Sequence, residues 1–93
     1  MSYSLQVHSE AIIDIQDAFQ WYEEKREGLG FEFINEVENG YEEICKHPKY
    51  YTAINEYFRR FKMHKFPYII IYEIEKNDVI ITAVRHGRRI PKV

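Results

Sequence analysis

Beyond its first few residues, the apolar pattern of this 93-residue chain changes period at Pro48, and that change sets the architecture. Before it, apolar residues recur at helical spacing. Ile12, Ile15, Phe19 and Tyr22, with Ala11 and Ala18 alongside, trace one buried face. Phe33 or Ile34, Val37, Tyr41, Ile44 and Cys45 trace a second. Ser9 is the expected cap of the first helix, its hydroxyl accepting a bond from an orphan N–H of the first turn. Gly28 ends that helix near Glu27, and Gly28-Leu29-Gly30 is a tight connector to the next. Pro48 stops the second, because proline lacks an N–H and disfavours helical geometry at His47. Two amphipathic helices joined so closely form an antiparallel hairpin.

After Pro48 the period falls to two. Tyr57 to Lys65 alternates Arg59, Phe61, Met63 and Lys65 against Phe58, Arg60, Lys62 and His64. Neither set is wholly apolar, which suits a strand at the rim of a sheet. Tyr68, Ile70, Tyr72 and Ile74 form the better core face of the next strand. Lys76-Asn77-Asp78 reads as a hairpin loop, and Val79 to Arg85 as the last strand. At the other end, Tyr3-Ser4-Leu5-Gln6-Val7 alternates as a short half-buried strand. The expected fold is α+β: one domain, residues 1–93, in the order β-α-α-β-β-β, with the helical pair on one face of a mainly antiparallel sheet.

Charge divides along the same boundary. Residues 1–50 hold eleven Asp/Glu and four Lys/Arg, whereas residues 51–93 hold four and nine, beneath an overall formal charge of −2. The basic half ends in Arg85-His86-Gly87-Arg88-Arg89. Arginine forks donate two parallel hydrogen bonds to phosphate or carboxylate, so clustered arginines make an anion-docking patch. The candidate target-binding residues are Arg59, Arg60, Lys62, Arg85, Arg88 and Arg89, provided the two basic segments meet on one surface. Tyr50, Tyr51, Tyr57 and Phe58 could add stacking surfaces. Alternatively, the bases keep an edge strand soluble and the tyrosines are packing residues.

His86 could exchange protons near neutral pH. In metal-free RNA cleavage a base takes the 2′-hydroxyl proton, cations stabilise the phosphorane-like charge and an acid protonates the leaving oxygen. The candidate catalytic set for that chemistry is His86 with Arg59 or Arg60 and Arg89. A histidine at a strand end can equally be structural. The four histidines are scattered without a His-x-x-x-His pair, and neither a phosphate-binding glycine loop nor a Gly-x-Ser-x-Gly elbow is present, so no metal or other cofactor is expected. The single Cys45 falls among helical apolar residues and reads as a small hydrophobe in a reducing, cytoplasmic setting. No basic-then-apolar leader or spanning apolar run appears, so no membrane association is expected.

Several segments together resemble a known family. Phe66-Pro67-Tyr68-Ile69-Ile70-Ile71-Tyr72-Glu73-Ile74 and Ile80-Ile81-Thr82-Ala83-Val84-Arg85-His86-Gly87-Arg88-Arg89-Ile90-Pro91 resemble the C-terminal signature of the RelE/ParE toxin superfamily. Ala18, Trp21-Tyr22, Gly28-Leu29-Gly30, Phe33 and His47-Pro48 are similar to its helical hairpin. The resemblance implies a bacterial or archaeal toxin of a type II toxin–antitoxin pair, neutralised by a cognate antitoxin in a hetero-oligomer. It implies one of two targets. A ParE-like member inhibits DNA gyrase; a RelE-like member is a metal-independent endoribonuclease acting on ribosome-bound mRNA. In nuclease members, bases of the strand matching 57–65 and a base or histidine ending the last strand do the chemistry, which maps to Arg59 or Arg60, Lys62, and Arg85 or His86. Nuclease members often also use a late tyrosine, and none follows His86 here, so the ParE-like branch is the slightly favoured expectation. A degenerate toxin that only binds its antitoxin is the third.

Overall fold

The computed structural model describes residues 3–87. Its elements run β1 (Ser4–Val7), α1 (Ser9–Lys25), α2 (Leu29–Lys46), β2 (Arg59–Lys62), β3 (Tyr68–Glu75) and β4 (Asp78–His86). The sheet order is β1-β4-β3-β2, with β1 parallel to β4 and the other two pairings antiparallel. This is the expected α+β arrangement. Tyr72, Phe33, Ile44, Ile70, Ile81, Val79 and Val84 are its largest fully buried side chains. They lie between the helical pair and one sheet face.

The helical hairpin closes through a carboxylate from its own first arm. Glu23 accepts the backbone N–H of Gly28 and that of Gly30, each at 2.9 Å, through its two oxygens. The first-turn donors of α2 are orphans by construction, and Gly28 offers no side chain to cap them. Gly28 takes φ +88°, which glycine reaches without steric cost. Gly30 lies against α1 so closely that a Cβ there would stand 2.7 Å from the Phe19 carbonyl oxygen.

Three local expectations need correction. The N-cap of α1 is His8, not Ser9; Ser9 is already helical and makes no side-chain capping bond. Ile12 is 44% exposed, while Ala11, Ala18 and Tyr22 carry the buried stripe. The closest approach of α1 to the sheet selects the small alanines, one position earlier than an isoleucine-weighted reading suggests. The strand expected over 57–65 shortens to Arg59–Lys62, since the backbone turns for the Phe66-Pro67 corner and Met63 N–H already bonds back to the Tyr68 carbonyl.

The last strand departs most from simple alternation. Ile71 pairs with Ala83 but Tyr72 pairs with Ile81, leaving Thr82 as an extra residue. Such a bulge inverts the facing of everything beyond it. Val79 and Ile81 join the core before the bulge and Val84 after it, whereas Ile80, Ala83 and Arg85 take the outer face. Thr82 Oγ1–H donates to the Ile71 carbonyl at 3.1 Å, satisfying an acceptor at the irregularity. β1 pairs only with residues 78–81 of β4, so α1 takes over along the remaining edge. There Val84 N–H donates to the Asp14 carboxylate at 3.0 Å.

Replacing Glu23 with alanine orphans two donors at a helix start and is expected to cost about 1–2 kcal/mol. In a domain of this size, that lowers the melting temperature by roughly 5–15 °C. Thermal unfolding followed by circular dichroism measures it; an unchanged midpoint contradicts the capping role.

Candidate functional site

The two basic strands are not neighbours: β3 lies between β2 and β4. Register nevertheless brings part of the basic set together. Lys62 pairs with Ile69 and Ile69 with Arg85, so the three form one row across the sheet. Arg60, Ile71 and Ala83 form the next row. Both rows face away from the helices. Strand spacing places Lys62 and Arg85 about 10 Å apart across Ile69, with Arg60 about 7 Å along the strand from Lys62. Arg60 and Lys62 are exposed. The side chain of Arg85 is 41% exposed and its Nε–H donates to Asp14 at 3.3 Å, which fixes the direction of the guanidinium.

Arg59 and His86 lie on the other side. Arg59 pairs with Tyr72 and shares its helix-facing side. Its guanidinium donates to the carbonyls of Tyr51 at 2.7 Å and Lys49 at 3.2 Å, while Tyr72 O–H donates to the Pro48 carbonyl at 2.6 Å. Together they pin the segment after α2. Burial pushes the Tyr72 hydroxyl up to about 12, against a smaller lowering by the Arg59 charge. His86 pairs with Tyr68, and their rings meet edge-on at 5.5 Å. Tyr68 in turn contacts Tyr22 and Phe33 of the core. Four residues and two strands separate the rows of Arg59 and His86, roughly 16 Å. Arg60 is on the opposite face from His86. The candidate catalytic set is therefore not drawn into one constellation among the described residues; Arg88 and Arg89 lie outside them.

The aromatic candidates divide similarly. Tyr50 and Tyr57 are 81% and 67% exposed. Tyr51 packs edge-on against Phe61 at 4.9 Å and Phe58 is half-buried. An open cleft of about 1280 Å³ runs between α2 and β2, bordered by Glu36, Glu42 and Glu43 opposite Arg60, Lys62 and His64. Its acidic wall disfavours a nucleic-acid backbone. Cys45 is half-buried, and burial pushes its thiol up, away from nucleophilic character. No helix among the described residues is long and apolar enough to cross a membrane.

Sequence reasoning missed Asp14, which anchors Arg85 from 71 positions away. No spacing rule links positions so remote. It sets Glu73 and Glu75 opposite the core face of β3, where they lie, but did not join them with Asp78 as the acidic end of the face that carries Arg60 and Lys62. The facing of Glu73 and Glu75 follows from β3 alternation once the core face is chosen, so that signal was present.

Residues 5–91 match the family model described as ParE toxin of type II toxin-antitoxin system, parDE. The chain belongs to that family of toxins. Its fold is similar to that of a solved structure titled "Chromosomal ParDE TA system from P. aeruginosa". The TM-score is 0.80 at 10% identity, covering 91% of this chain and 96% of the other. No curated protein matches the sequence.

Tyr72 makes stability fall with alkalinity. Its hydroxyl ionises near 10 when unfolded and about 12 when folded, so between those values the unfolded state binds fewer protons and gains. In stability measured by denaturant titration, this group is expected to contribute nothing below about pH 9.5 and then a fall of up to about 1.4 kcal/mol per pH unit, on top of the fall that the raised Cys45 thiol begins at lower pH. Tyr41, likewise pushed up to about 12 by burial, adds to the fall. The Tyr72→Phe variant should fall less steeply; an identical slope contradicts the buried hydroxyl's role.

Proposed function

We propose that this toxin is neutralised by a cognate antitoxin and, when released, inhibits DNA gyrase by docking through the outer face of its sheet. Arg60, Lys62 and Arg85 are the residues that engage the target, with Arg88 and Arg89 following β4 in sequence. The reading is supported by family membership and by one observation above others. His86, the candidate proton-transfer group, faces the helices, while Arg60, Lys62 and Arg85 face outward. A nuclease needs its proton-transfer group and its phosphate-stabilising cations within about 3 Å of the same reacting atoms. A docking surface has no such need. It requires cations on one exposed face, held by a rigid sheet, and that is the arrangement of these three residues. Arg59 acts instead as a positioning residue, fixing the segment that carries Tyr50.

Adding the purified chain to a gyrase supercoiling reaction is expected to reduce supercoiling and accumulate cleaved complex, with no scission of mRNA in a parallel translation reaction. Joint replacement of Arg60 and Lys62 by glutamate should raise the concentration needed for inhibition at least tenfold, about 1.4 kcal/mol or more, without lowering the melting temperature. His86→Ala should retain inhibition. Normal supercoiling at excess toxin, or codon-dependent mRNA cleavage abolished by His86→Ala, contradicts the proposal.

A further inference from the structure

The outer sheet face has a cationic end and an anionic end. Arg60, Lys62 and Arg85 occupy the two rows at residues 69 and 71 of β3. Glu73 faces outward in the next row, and Glu75 pairs directly with Asp78 in the row after it. Ile71, half-buried, and Ile80, 8% exposed, stand between the two ends, and Ile69 and Ala83 lie among the cations at 8% and 9%; all four stand outside the main core cluster. No described helix or strand lies over this face, since both helices pack on the opposite side.

Two features of the charge pattern are unresolved within a single chain. Like charges directly opposite each other across two strands are destabilising, and Glu75 and Asp78 are such a pair. Among the described residues, the ion pairs are Arg26 with Glu32 and Arg85 with Asp14. The other charges of the outer face, Arg60, Lys62, Glu73, Glu75 and Asp78, have no ion-pair partner among the described residues. The rows of Lys62 and Glu75 are about 20 Å apart, too far for those two to pair within one chain.

A face with a basic end, an apolar middle and an acidic end is complementary to itself. A two-fold axis lying in the plane of the face and crossing the strands brings each end over its opposite. Passing between the row of Ile71 and the row of Glu73, it sets Lys62 and Arg85 above Glu75 and Asp78 of the second copy. Arg60 then lies near the second copy's Glu73, and Ala83 meets Ile80. Face-to-face sheets about 10 Å apart with nearly aligned strands are an ordinary packing mode. Two-fold contacts of one patch with itself are the commonest basis of dimers.

We propose that the outer face of the sheet binds the same face of a second copy of this chain, pairing its cationic end with the partner copy's anionic end. The area is small. Four strands by about 20 Å give about 400 Å² per copy, half of a standard interface. The dimer is therefore weak, with dissociation in the micromolar range or above, and sensitive to salt. Its consequence rests on the target reading above: pairing covers the cations that engage the target, so a concentrated chain masks its own docking surface until a partner competes for it.

Sedimentation equilibrium of the purified chain tests this with three variants, Lys62→Glu, Glu75→Lys and the two combined. Both positions are exposed, and thermal unfolding verifies that each variant folds. The natural chain should dimerise reversibly, more weakly as salt rises. Each single replacement sets like charges face to face and should weaken dimerisation at least tenfold. The combined variant re-creates the complement with signs exchanged and should recover to within about threefold of the natural chain. A monomer at every concentration, natural association in the single variants, or no recovery in the combined one overturns the proposal. A chain that inhibits supercoiling but stays monomeric loses only the pairing. One that pairs and shows the charge-swap recovery without affecting supercoiling loses only the target reading.

Discussion

One inserted residue, Thr82, decides which side chains of the last strand meet solvent. Without it, strict alternation from the buried Val79 and Ile81 would carry Ala83 and Arg85 toward the helices and turn Val84 and His86 outward. With it, Val84 fills the core and His86 meets Tyr68 under the helical pair, while Arg85 joins Lys62 across Ile69. The bulge is held from both sides. Thr82 bonds the carbonyl of the strand it opposes, and Asp14 of α1 receives the N–H of Val84, just beyond the end of β1. Helix and bulge are thus one device: α1 completes the edge of β4 where the parallel partner stops.

The rest of the layout follows from that partition. Basic residues in the second half of the sequence become two groups with different roles. Arg59 is consumed by the carbonyls of Tyr51 and Lys49, working with the buried Tyr72 hydroxyl to fix the segment after α2. Arg60 and Lys62, adjacent to it in sequence, face outward with Arg85. The face they share has an acidic far end, so its field is directional. Directional charge selects a partner's orientation more than it adds affinity.

The architecture was legible because its signals were redundant. Helical spacing, Gly28, Pro48 and the alternation of Tyr68 to Ile74 all agreed, and agreement between levels is what marks a foldable pattern. The phase of β4 was not legible. Ile80, Ile81, Ala83 and Val84 are all apolar, so hydrophobicity cannot say where alternation slips. The inward turn of α1 was misread for a related reason. Isoleucine outweighs alanine by size, but a helix lying close to a strand needs the smaller residue at the contact. The site was half legible: residue types pointed to an anion-docking patch, but the facing of Arg59 and His86 depended on partners in space. Asp14 had no sequence signal at all.

The central claim is the division of cations and histidine between two faces, and short-range crosslinking measures it directly. In a Cys45→Ser background, cysteines placed at 62 and 85 share a face about 10 Å apart, whereas those at 62 and 86 point to opposite sides of the sheet. A short bismaleimide should bridge the first pair within one chain and leave the second unbridged. Efficient bridging of 62 to 86, with 62 to 85 unreactive, would mean that the strand runs without its bulge and would contradict the account.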